Sequence, residues 1–202
     1  MRYRSALAFT LVAFTLQLAA QDGPSPPQVR YGIDPNPTFY PQATPKVVLA
    51  SVVKAISNRK FEYLAAQLLE PKFVEGRIDE RAKQLVDGVE SEYRVIRDAQ
   101  RKDSRVLARE QLPLEPKAFA DAVQAEARNR AFRVVVQDIR AFWAENPEQV
   151  REFQKYLREA TFTEAGESAS AVLKGSKGEQ INFIRIDGRW QVEDRKTPPE
   201  KK

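Results

Sequence analysis

The chain has 202 residues and a net charge of +5, with neither cysteine nor histidine. Those two absences exclude imidazole-activated serine or cysteine nucleophiles, histidine-ligated zinc, disulfides and a lipoprotein cysteine anchor. The 33 basic and 28 acidic residues are interspersed rather than gathered on one stretch, so nucleic-acid binding is not expected. No D-x-D-x-D-G-type loop is present, and no metal or cofactor is expected.

The chain opens MRYRSALAFTLVAFTLQLAA. Arg2 and Arg4 precede an apolar run from Ala6 to Ala20, and small residues follow. That is the layout of a secretory signal peptide, here residues 1–20 with cleavage after Ala20, and it predicts a periplasmic or extracellular protein. The alternative is an uncleaved N-terminal anchor, which would be the chain's membrane contact. A bilayer-spanning helix wants roughly 20 strongly apolar residues, and this run is shorter and carries Thr10, Thr15 and Gln17. Removing the segment leaves 31 basic residues against 28 acidic, a net charge of +3.

Residues 21–45 hold seven of the 13 prolines. Proline fixes φ and removes a donor, so residues 21–43 read as an extended linker. Tyr31, Ile33, Phe39 and Tyr40 interrupt it, and four large apolar groups are expected to pin its second half to the domain. A single domain is then expected over residues 44–196, followed by a frayed tail at 197–202.

Thr44 as N-cap and Pro45 as first helical residue start a helix whose stripe is Val48, Val52 and Ile56, widened by Leu49 and Val53. FEYLAAQLLEP predicts a second, short helix stopped by Pro71. A long helix is expected from about Arg77 to Lys102, with Ile78, Ala82, Leu85, Val89, Tyr93 and Ile96 as its apolar stripe. Arg94, Arg97, Arg101 and Arg105 fall on one face of it. They read either as an anion- or membrane-surface patch or as a solvated face paired with Glu90 and Asp98.

LPLEP, residues 112–116, is a stiff connector to a helix from about Lys117 to Ala144. Ala131, Val135 and Phe142 form one stripe there; Phe132, Val136, Ile139 and Trp143 form a second, so burial on more than one side is expected. Asp138 is in register with the first stripe. A carboxylate on an apolar face can act as a base, which makes Asp138 the candidate catalytic residue. It reads equally as a structural acid paired with Arg133 or Arg140, or as a group at the stripe's edge. Asn146-Pro147-Glu148-Gln149 has the form of a capped helix start, and that helix runs to about Ala160.

Glycine then becomes frequent and the pattern changes to strands. ESASAVLK and QINFIRI are two of them, and RWQVEDR is the third, so the expected sheet is three-stranded and antiparallel. Asp187-Gly188 predicts a two-residue type I′ turn. The turn sets Arg185 opposite Trp190 and puts Ile181, Phe183, Arg185, Trp190 and Val192 on the core face. Arg185 lying over the Trp190 indole is the candidate ligand-binding pair; ordinary sheet packing is the alternative.

TPKVVLASVVKAISNRKFEYLAAQLLEP resembles the opening of nuclear-transport-factor-two-like proteins, the cystatin-type α+β cone, and IRIDGRWQVEDR resembles their closing hairpin. The resemblance implies a sheet wrapped around helices with a cavity between them, in a superfamily that includes isomerases, dehydratases, small-molecule binders and uncharacterised exported bacterial domains. The long helices over residues 77–160 depart from that pattern, which makes the expected fold an α+β domain of about five helices with a C-terminal sheet. It is alternatively a reduced cone carrying a helical insertion. The expected function is an exported, non-catalytic binding domain whose partner is a protein or small molecule. The alternatives are a carboxylate-dependent isomerase or lyase working through Asp138, and a surface-associated module using the Arg94–Arg105 face.

Overall fold

The computed structural model describes residues 28–102, 112, 113, 115–175 and 179–193. The expected signal segment, the start of the linker, Arg105 and the tail lie outside these residues. Helix α1 spans Pro45–Ser57 and starts as its cap predicts, with Thr44 Oγ1 accepting from Val47 N at 3.3 Å. Val48, Leu49, Val52, Ala55 and Ile56 are all buried on its inner face.

The short second helix is less regular than its periodicity implies. Phe61–Tyr63 is α-helical (α2), but Leu64–Leu68 is a fully buried π-helical turn in which Leu69 N donates to Leu64 O at 3.1 Å. Pro71 does not simply stop it. After two extended residues Pro71 opens α3, Pro71–Lys102, which therefore begins six residues before the expected Arg77. Proline loses nothing at a first helical position, whose N–H has no intrahelical partner.

Helix α4 spans Pro116–Glu145 and is capped by the Glu115 carboxylate, which accepts from Ala118 N at 2.6 Å. Helices α3 and α4 run in opposite directions, since Arg81 meets Asp138 while Arg97 lies over Phe119 further along. Ion pairs stitch the hairpin: Arg128 to Asp79, and Arg130 to Glu92 at 2.8 Å. Asn146 holds the N-cap position of α5, Pro147–Glu159, as its sequence implies, but its side chain makes no cap hydrogen bond there. Its side chain turns back and donates to Phe142 O at 2.7 Å, closing α4 instead.

The sheet has four strands rather than the expected three. They are β1 Thr161–Ala165, β2 Ser168–Val172, β3 Gln180–Ile186 and β4 Arg189–Glu193, antiparallel and in chain order. The added strand is β1, which carries a single core-facing aromatic, Phe162, and leaves its other positions in solvent. Asp187 and Gly188 both have positive φ, 51° and 74°, and the register is the expected one, Arg185 opposite Trp190 and Phe183 opposite Val192.

Helix α1 lies against the sheet face that carries Ala169, Ala171, Phe183 and Trp190, all buried. The two alanines on β2 give it room to approach. The stretch before α1 covers the outer edge of β4. Trp190 N donates to Gln42 O at 3.0 Å, and Gln42 Nε2 donates to both Trp190 O and Gln67 O at 2.9 Å. Gln67, itself buried in the π turn, donates to Gln28 O at 3.1 Å and Ile33 O at 2.9 Å. Further along that edge Glu70 N donates to Val192 O at 2.8 Å. Tyr31 stacks on Phe132 and Tyr40 on Tyr63, each with centroids 4.4 Å apart, while Phe39 remains exposed beneath the Lys54 ammonium.

Candidate functional site

Towards its C-terminal end the apolar face of α4 outlasts the core. Ala131, Phe132, Val135 and Val136 are buried, but one turn later Ile139 and Trp143 are half-buried and Phe142 is 49 % exposed. After the turn at Asn146-Pro147, α5 packs mainly on α1, and its Phe153 meets Trp143 edge-on with centroids 5.4 Å apart. Phe142 also meets Trp143 edge-on, with centroids 5.3 Å apart. These three rings form one wall of an open cleft of about 470 Å³.

The opposite side is made by the sheet, through Ile181 and Asn182 of β3 and Val192 and Glu193 of β4. The floor is Val52 of α1 with Leu64 and Leu69, the two residues joined by the π-turn hydrogen bond. Phe73 and Arg77 from the start of α3 close the rim. The volume falls in the range of small-molecule sites, roughly 300–1,000 Å³, and the lining has their character, apolar walls with a few polar groups.

Those polar groups are mostly engaged. Asp138 lines the cleft but sits at its rim, with 43 % of its side chain exposed, and Arg81 Nη2 holds it at 3.0 Å. Neither Arg133 nor Arg140 is its partner: Arg133 approaches Glu126 at 3.8 Å and Arg140 approaches Glu62 at 3.5 Å. Gln180 Nε2 donates to Asn182 Oδ1 at 3.0 Å. Arg77 lies over the Phe73 ring, 4.7 Å from its centroid, and forms no ion pair among the described residues.

Arg185 and Trp190 do not belong to this cleft. They are opposite one another in the sheet, but Trp190 is buried beneath α1 while Arg185 is exposed, and no cation–π pair forms between them. The arginine face on α3 divides. Arg94 pairs with Glu90 at 2.5 Å, Arg97 packs over Phe119 at 4.1 Å, and Arg101 is exposed. With Pro116 and Val123, Arg94 and Arg97 line a second hollow of about 280 Å³ between α3 and α4.

Burial raises the phenol pKa values of Tyr31, Tyr63 and Tyr156, and for Tyr63 the positive charge of Arg189 works in the other direction. None of the three lines the cleft; Tyr156 donates to Glu179 O just outside it, at 3.2 Å. No group of three or more carboxylates placed to hold a metal ion occurs among the described residues. No helix among them is long and apolar enough to cross a membrane.

Of the cleft residues, the sequence marks Asp138 as a candidate, Ile181 and Val192 as the core face of the sheet, and the others only as helix or strand positions. Phe142 and Trp143 read as helix stripes, and Arg77 as a helix start. The available signal was the density of aromatics on both sides of Asn146-Pro147, more than one helix pair can bury around a tight turn. Comparison with the models of known protein families, with curated proteins and with solved structures finds no match to this chain.

Proposed function

We propose that this chain is an exported, non-catalytic binding domain that holds the apolar body of a small ligand between the α4–α5 aromatic wall and the sheet. The observation that carries this reading is the open apolar cleft itself, with Trp143 in edge-on contact with both Phe142 and Phe153 and left half-buried. Folding ordinarily removes such a cluster from water, and a pocket that keeps it accessible gains by covering it with a ligand. Export rests on the signal-like segment at residues 1–20.

The same reading takes the fold as a reduced cone of the nuclear-transport-factor-two-like kind, with α3 to α5 as the helical insertion. Its support is α1 packed across an antiparallel sheet that ends in the Asp187-Gly188 hairpin. The isomerase or lyase alternative needs Asp138 as an available base. The exposed ion pair with Arg81 lends it no support.

A neutral fluorescent probe, N-phenyl-1-naphthylamine, tests the binding reading in the full chain. Its emission is expected to rise on addition of protein, and Trp143→Ala or Phe153→Ala to lower the affinity at least about fivefold, since an aromatic contact in a desolvated site is worth about 1 kcal/mol beyond area burial. Unchanged affinity in both variants would place the probe elsewhere and remove the cleft as the site.

A further inference from the structure

We infer that the ligand of this cleft is an amphipathic carboxylate, an aliphatic or aryl-alkyl acid whose chain lies on the aromatic wall and whose carboxylate pairs with Arg77; this rests on the binding reading above. The lining contains three charged residues, Arg77, Asp138 and Glu193. They are not equivalent. Glu193 belongs to β4 on the sheet side, whereas Arg77 comes from α3 and Asp138 from α4.

Phe73, Arg77 and Arg81 recur every fourth residue and so share one face of α3. The last of them is already committed, its guanidinium 3.0 Å from Asp138. That pair cancels the negative charge on the rim, so an anionic group entering there is not repelled. Arg77, one turn earlier, has its guanidinium stacked on Phe73 and no carboxylate partner among the described residues. The exposed guanidinium is otherwise uncommitted among those residues, and its planar fork matches a carboxylate through two parallel N–H···O bonds. The cleft therefore offers a hydrophobic trough with an oriented cation at its mouth, the complement of an acid with an apolar tail.

A lysine would not serve equally. Its point charge neither stacks on Phe73 in a fixed plane nor presents two donors at once. The geometry also assigns an orientation, with the carboxylate towards α3, away from Glu193, and the tail towards Trp143 and Ile181.

Displacement of N-phenyl-1-naphthylamine by decanoate, decanol and decylammonium, each below its aggregation concentration, tests the assignment on the full chain. Decanoate is expected to displace the probe at a concentration about tenfold lower than decanol, the weight of one solvent-accessible charge-assisted pair. Arg77→Gln is expected to bring decanoate to the level of decanol, each measured against the same probe in that variant. Arg77→Lys is expected to restore only part of the preference. Equal displacement by decanoate and decanol in the unaltered chain would overturn the inference, as would a preference that survives Arg77→Gln. Decylammonium as the strongest competitor would overturn it in favour of the carboxylates, with the cleft intact as a binding site. Failure of the neutral probe to bind, by contrast, would remove the binding reading itself. Arg77 is exposed on a long helix, so an unchanged far-ultraviolet circular dichroism spectrum establishes that its variants fold.

Discussion

Replacing Gln42 with leucine tests whether the segment before α1 is part of the domain's stability or only lies on it. The side chain is 6 % exposed and its amide nitrogen bridges Trp190 O and Gln67 O, both at 2.9 Å. Leucine is close in size but donates nothing, so two carbonyl oxygens would be left buried without that partner. A buried polar group deprived of its partner costs about 1–3 kcal/mol. Two of them, partly offset by the added apolar side chain, give an expected loss of about 2–4 kcal/mol. With a urea slope near 2 kcal/mol/M, the midpoint of the full chain should fall by about 1–2 M at unchanged slope. Urea unfolding followed by tryptophan fluorescence measures this, because Trp190 is among the residues bridged. A fall of less than about 0.25 M, on the same slope, would refute the reasoning: it would mean that the bridge contributes less than about 0.5 kcal/mol. A changed slope would instead report a change in the denatured or native compactness.

Two other residues give predictions of opposite sign. Gly88 lies inside α3, and a methyl group added there meets nothing within 4 Å, so Gly88→Ala should stabilise the chain by about 0.4–1 kcal/mol, read as a raised urea midpoint; a lowered midpoint would contradict an unbroken helix at that position. Glu115 caps α4, and its carboxylate is held below the usual glutamate range first by Ala118 N–H and then by Lys117 N–H. A depressed folded pKa means that the cap's contribution is present above the ordinary glutamate pKa, about 4.3, and is lost as pH falls through the lower folded value. Carbon-13 titration of the Glu115 carboxylate should give a midpoint below that of a free glutamate, and a midpoint at or above it would contradict the cap.

What could be read from the chain was local, and what could not was set by packing. Thr44-Pro45 and Asp187-Gly188 carry their geometry within two residues, so the start of α1 and the register of the last hairpin followed directly. Pro71 was misleading because proline is compatible with both the end of one helix and the first position of the next, and only the short extended stretch at Leu69 decides between them. β1 has one inward aromatic in five residues, too little alternation to stand out, and it exists because β2 offers it a partner edge. Asp138 illustrates the limit at the site. Its place on the apolar stripe was legible, but its partner Arg81 lies 57 residues away on another helix, and the nearer arginines found other acids. The aromatic wall was legible as hydrophobic and not as accessible, since that depends on how far the last turns of α4 extend beyond the buried part of the core.

The two borders of the sheet end up unlike each other. β4 is bonded along its outer side by Gln42 and Glu70, whereas β1, mostly exposed and bearing Thr161, Thr163 and Glu164, has no further strand beside it among the described residues. An uncovered strand is a template on which another chain can grow, and polar, charged side chains make it a poor one. The proline-bearing stretch ahead of α1 thus works as a guard. Together with Glu70 it occupies the more apolar border, and Pro35, Pro37 and Pro41 lack the N–H that a further strand would need, so the border left uncovered among the described residues is the one whose own side chains discourage self-association.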